Sequence, residues 1–225
     1  MHQDSLRPPR EWRPNFSMIK SSAVEAALSS LFRSKSLTRV GEYRHISVPC
    51  PLLIMFADTT RIPRVALHQY ILHSASHPPI SYDVRLCFPD GLHFAEITRP
   101  VNNWDLMRYA CEPPLPVMVL VSPYFPWFVE ARSSNPSGVT IYDLLYAIYT
   151  CMAMPIVQAD YWNCEMDQTV REEIAAAYEI RCGADPAQRA LGVRRMDYLR
   201  GRVLLRGISR LKDGTFEMKF KAPRA

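Results

Sequence analysis

His68, His73 and His77 have the side chains most suited to chemistry in this sequence. Histidines four apart share a helix face, so His73 and His77 have the spacing of two metal ligands. Pro78 and Pro79 follow directly, and a residue before proline is pushed out of helical geometry. These histidines are therefore expected to be surface or structural, with no metal bound. Cys151 and Cys164 are candidate nucleophiles if a histidine serves as base. No glycine elbow surrounds either, and Cys151 falls on an apolar stripe, where cysteine acts as a small core residue. Asp160, Glu165 and Asp167 are close enough in sequence for paired acid–base work, but are expected to be solvated loop carboxylates. No phosphate-binding glycine loop, serine elbow or dinucleotide fingerprint is present. The expectation is no catalytic residue and no cofactor, which leans away from an enzyme.

The cations form the clearest pattern. The net charge is +5 over 225 residues, but it is unevenly spread. Residues 181–225 carry twelve Lys/Arg against four Asp/Glu, a balance of +8, while the other 180 carry fifteen against eighteen, a balance of −3. Read as a strand over 199–210, Leu199, Val203 and Leu205 point one way and Arg200, Arg202, Arg206 and Arg210 the other. After a turn at Lys212-Asp213-Gly214, Phe216, Met218 and Phe220 alternate with Glu217, Lys219 and Lys221. This predicts a hairpin with an apolar side and a basic face of Arg200, Arg202, Arg206, Arg210 and Lys219. Such a face suits a solvated, aggregation-resistant edge or an anionic partner. Arg195 and Asp197, two apart, are expected to share a strand face as an ion pair at the entry to this hairpin.

Residues 116–154 must hold these pieces in place. Val117 to Val121 is an apolar run suited to a buried strand, and Ser122-Pro123 stops it. Trp127 to Arg132 resumes as a second strand, with Trp127 expected in the core. Thr140 is a good N-cap, and Asp143 in the first turn meets the positive end of a helix over about 140–153. Ile141, Leu144, Leu145, Ile148 and Met152 recur at helical spacing, with Tyr142, Tyr146 and Tyr149 beside that stripe. Pro155 ends the helix.

Elsewhere, 80–87 and 92–98 read as a hairpin around Asp90-Gly91. Residues 104–111 suggest one or two helical turns. Thr169-Val-Arg-Glu172 reads as a capping box opening a helix over about 170–182, with Gly183 ending it. Residues 1–16 are polar and proline-rich, and loose order is expected there. Ser17 caps an expected helix over 18–33, and 52–56 reads as a strand.

No stretch reaches the roughly 18 apolar residues of a membrane span, and Met1 to Arg10 lacks a signal peptide's apolar region. Six scattered cysteines with no C-x-x-C pair suggest reduced thiols. A cytoplasmic or nuclear protein is expected.

Ile80-Ser-Tyr-Asp-Val, Ala110-Cys-Glu-Pro-Pro, Val119-Leu-Val-Ser-Pro with Pro126-Trp127, Val139-Thr-Ile-Tyr-Asp-Leu-Leu and Gly192-Val-Arg-Arg-Met-Asp-Tyr-Leu, followed by Gly207, form a pattern over roughly residues 65–220. In order and spacing it resembles an uncharacterised domain family abundant in mushroom-forming fungi. The resemblance implies a compact α+β domain and no known activity, so it brings no catalytic residue. Residues 1–64 fall outside it.

These readings predict an α+β fold over 65–225, preceded by an extension over 1–64. A mostly antiparallel sheet of hairpins carries the helices at 140–153 and 170–182 on its apolar side. The expected function is a non-catalytic module that binds another protein's acidic patch through the basic hairpin face. Nucleic acid bound through its phosphates is the alternative, although that face lacks aromatic rings for stacking. An enzyme with an unfamiliar site is the third.

Overall fold

In a computed structural model of the chain, residues 65–162 and 166–223 are described. The expected helix over 18–33 and strand over 52–56 lie outside them. In chain order the first elements are β1 (Ala66–Leu67), β2 (Ile80–Asp83), β3 (His93–Phe94), α1 (Asn103–Leu106), β4 (Cys111–Glu112) and β5 (Val117–Val121). There follow β6 (Val129–Arg132), α2 (Ile141–Ala153), α3 (Gln158–Tyr161), α4 (Gln168–Cys182) and α5 (Pro186–Ala190). A 3-10 turn over Arg195–Leu199, then β7 (Leu204–Arg210) and β8 (Phe216–Lys221), complete the series.

Six strands form one sheet in the order β3-β2-β7-β8-β5-β6, and β1 pairs with β4 apart from it. Every pairing is antiparallel except β5 with β8. This is the expected α+β architecture.

Register decides which side is core, because residues opposite one another share a face. Tyr82 lies opposite Leu205, Leu205 opposite Phe220, Leu120 opposite both Phe216 and Val129, and Met118 opposite Ala131. All are buried in one cluster with Trp127, with Ile141, Leu144, Leu145, Ile148 and Met152 of α2, and with Val170 and Ile174 of α4. Helix α2 packs on β6 and the 3-10 turn, whereas α4 packs on that turn and on α5.

Both principal helices start at a side-chain cap. Thr140 accepts from the Asp143 backbone N–H at 3.1 Å, and Asp143 accepts from the Thr140 backbone N–H at 2.9 Å. Asp167 caps α4 by accepting from Val170 N–H at 2.8 Å, so the helix starts earlier than the Thr169–Glu172 box suggested. Gly183 ends it.

The expected strand over 199–210 is corrected in two places. Residues 195–199 form the 3-10 turn, because the Asp197 carboxylate accepts the Arg194 backbone N–H at 2.8 Å and starts a helical turn. Arg200 at φ 50° and Gly201 at φ 82° then reverse the chain, and β7 begins only at Leu204. The second departure is a bulge between Leu205 and Gly207. Gly207 has φ 139°, and a Cβ there would stand 2.7 Å from the His73 Cα. The extra residue moves Ile208 into the core and sets Arg210 opposite Phe216, which breaks the odd–even pattern.

Candidate binding groove beside helix α4

Four carboxylates occupy one local role. Asp105, Asp143, Asp160 and Asp197 are the buried acidic residues among those described. Each accepts a backbone N–H three residues earlier, from Asn102 at 3.0 Å, Thr140 at 2.9 Å, Val157 at 3.2 Å and Arg194 at 2.8 Å. Asp160 is thus a helix cap rather than a solvated loop carboxylate, and Asp167 is the cap of α4; Glu165 lies outside the described residues. Burial pushes the Asp143 carboxyl up, but the bonds from Thr140 and Ser134 outweigh it and hold the group below the ordinary carboxylate range. The fork of Arg99 holds Asp105 below that range too, against the opposing effect of burial.

Arg195 and Asp197 do not form the expected ion pair. On a 3-10 turn, residues two apart diverge. Asp197 takes Arg181 of α4 instead, from Nε at 2.8 Å and Nη2 at 2.9 Å, and both side chains are buried. The hydrogen bonds that Arg181 donates to Asp197 are the main reason that the guanidinium is raised above its ordinary value. Arg195 lies over the Trp127 ring at 4.8 Å, and its Nη1 donates to Cys151 Sγ at 3.2 Å. Burial pushes the Cys151 thiol up, and Arg195 offsets only part of that, which disfavours the thiolate a nucleophile needs. Cys164 lies outside the described residues.

None of the three histidines is in a helix. His68 Nδ1 accepts the Tyr70 backbone N–H at 3.1 Å, and His77 bonds Ser76 at 3.1 Å. The backbone N–H of His73 donates to Ile208 O at 2.9 Å.

The five cations of the expected basic face are dispersed. Lys219 is paired with Glu217 at 2.7 Å on the outer side of the sheet. Arg206, at the bulge, donates to Ser81 Oγ at 3.2 Å. Arg210 falls opposite Phe216, on the other face. On β6, Arg132 pairs with Glu130, so the outer sheet surface is mixed in sign rather than basic. Arg200 and Arg202 leave the sheet entirely. Arg200 is buried against Glu173 of α4, and Arg202 covers the Tyr124 ring at 5.0 Å.

Arg200 and Arg202 meet in a groove of about 690 Å³ between α4 and the end of β8. Its apolar lining comes from Tyr124, Ala176, Ala177, Ile180 and Phe220, and its charges from Arg200, Arg202, Lys221 and Glu173. Ile180 is 75% exposed, an unusual position for isoleucine. Sequence reasoning missed Ile180, Tyr124 and Glu173. The available signal was Ile180 itself, an apolar residue off the Val170–Ile174 stripe of α4. A second feature lies on α2, where Tyr142 and Tyr146 stack at 5.6 Å with Phe88 against both.

Fold and groove together define an α+β domain with a cation-lipped apolar groove. The chain belongs to DUF6699, a family of unknown function whose model matches residues 54–215, well over half of it. That match reaches back into the segment expected to be a separate extension. No curated protein and no solved structure matches the chain.

Proposed function

We propose that this chain is a non-catalytic interaction module, working in the cytoplasm or nucleus, whose groove beside α4 takes an acidic segment of another protein. The observation that carries this reading is the pairing of exposed Ile180 with the cations of one groove, Arg200, Arg202 and Lys221, against the single carboxylate of Glu173. A contiguous apolar lining of Tyr124, Ala176, Ala177, Ile180 and Phe220, rimmed by charge, has the composition of a contact surface. No helix among the described residues is long and apolar enough to cross a membrane.

The test is fluorescence anisotropy of a labelled octapeptide alternating glutamate and leucine, with a duplex DNA oligomer as competitor. The wild type should bind the peptide, and the double variant R202S/K221S should bind about threefold or more weakly, mostly through slower association. Equal binding by both proteins contradicts the reading. DNA binding that displaces the peptide and collapses with added salt replaces it with the nucleic-acid reading.

A further inference from the structure

We propose that the anchor of this groove is the Nε–Nη2 edge of Arg200, which takes one aspartate or glutamate carboxylate of the partner side-on, with an adjacent apolar residue against Ile180. This rests on the groove reading and names the chemistry of its ligand.

The side chain of Arg200 is 5% exposed, and only its Nη1 is engaged, by Glu173. Its Nε and Nη2 are buried and without a hydrogen-bond partner. Those two atoms carry parallel N–H bonds, spaced to meet the two oxygens of one carboxylate. Arg171 and Arg206 also bury an unmet Nε, but Arg200 leaves both atoms of the edge unmet, an edge that is filled in two other arginines of the chain. Arg181 gives Nε and Nη2 to Asp197 at 2.8 and 2.9 Å, and Arg85 gives the same pair to Asp83 at 3.0 and 2.6 Å. At Arg200 the edge is built and empty. Buried donors are almost always met, so a pair left unmet in a groove wall points to a group that arrives from outside.

The backbone places this side chain at the groove. Arg200 is the non-glycine residue with positive φ among those described, at φ 50° and ψ 51°. Glycine adopts that conformation more readily; at Arg200 it closes the 3-10 turn and brings the arginine side chain against Glu173 of α4. Both donors are buried, so the incoming carboxylate reaches them as groove side chains shift aside.

Titration calorimetry on the full chain tests this with three octapeptides: the glutamate–leucine peptide, its glutamine–leucine counterpart and a phosphoserine–leucine version. The glutamate peptide should bind at least about tenfold more tightly than the glutamine one. R200K keeps the charge but loses the fork, and should erase most of that preference. E173Q removes the carboxylate that offsets the Arg200 charge from its Nη1 side, and should raise affinity for the glutamate peptide several-fold. If R200K fails to fold, E173Q decides, and no gain in that variant overturns the proposal. A phosphoserine peptide preferred tenfold over glutamate overturns the carboxylate assignment. Unchanged preference in R200K, alongside weakened binding in R202S/K221S, sinks the fork and leaves the groove. Failure of every peptide sinks both.

Discussion

Asp143 shows how much one carboxylate can fix. It accepts from the backbone N–H and the hydroxyl of Thr140, at 2.9 and 2.8 Å, and so sets the first turn of the central helix. Its folded pKa is depressed, so its contribution is fully present above the unfolded aspartate value near 3.8 and is lost as pH falls through the folded value. D143N should therefore be less stable than wild type at pH 7, and the gap should narrow towards pH 3. Urea unfolding of both proteins at the two pH values checks this, and a constant gap contradicts it. Arg181 and Asp197 are a different case, since both are buried. R181A leaves a buried carboxylate without its counterion and should cost about 3–5 kcal/mol. R189A removes an exposed pair with Glu179 and should change stability by less than about 1 kcal/mol. Thermal melts of the two variants compare them directly.

At the scale of elements, β5 and α2 were legible because local chemistry and packing agree there. The valines of β5, Thr140 with Asp143, and the stripe of Leu144, Leu145 and Ile148 all point to one arrangement, and the structure has it. Leu145→Ala should cost about 2–5 kcal/mol, read as a lower urea midpoint with an unchanged slope. The 193–210 segment was legible in part. Its apolar and basic residues alternate as in a strand, but the 3-10 turn depends on Asp197 reaching both Arg194 N–H and Arg181 of a distant helix. Alternation carries no sign of such a partner. The bulge at Gly207 was hidden for a similar reason, since it answers the close approach of His73. Gly207→Ala should destabilise by about 1–3 kcal/mol, through its positive φ and that contact. A melting temperature equal to wild type would show that the bulge relaxes freely.

Over the whole molecule, charge is sorted by position rather than by segment. The C-terminal excess of arginine did not become a basic sheet face. Part of it holds the structure together, through Arg181 and Arg195, part is paired on the outer sheet, and part lines the groove beside α4. The groove was not legible because its walls come from four separated stretches, around Tyr124, along α4, at 200–202 and at 220–222, which only the fold brings together. The groove is tested most directly by a residue-resolved map of where an acidic peptide sits. Amide chemical shifts of the isotope-labelled full chain should be recorded while the glutamate–leucine octapeptide is added. Shifts should concentrate at 173–180, 200–202 and 220–222, with Arg200 and Ile180 among the largest. Shifts centred instead on Arg206 and Lys219, or on Tyr142 and Tyr146, would contradict it.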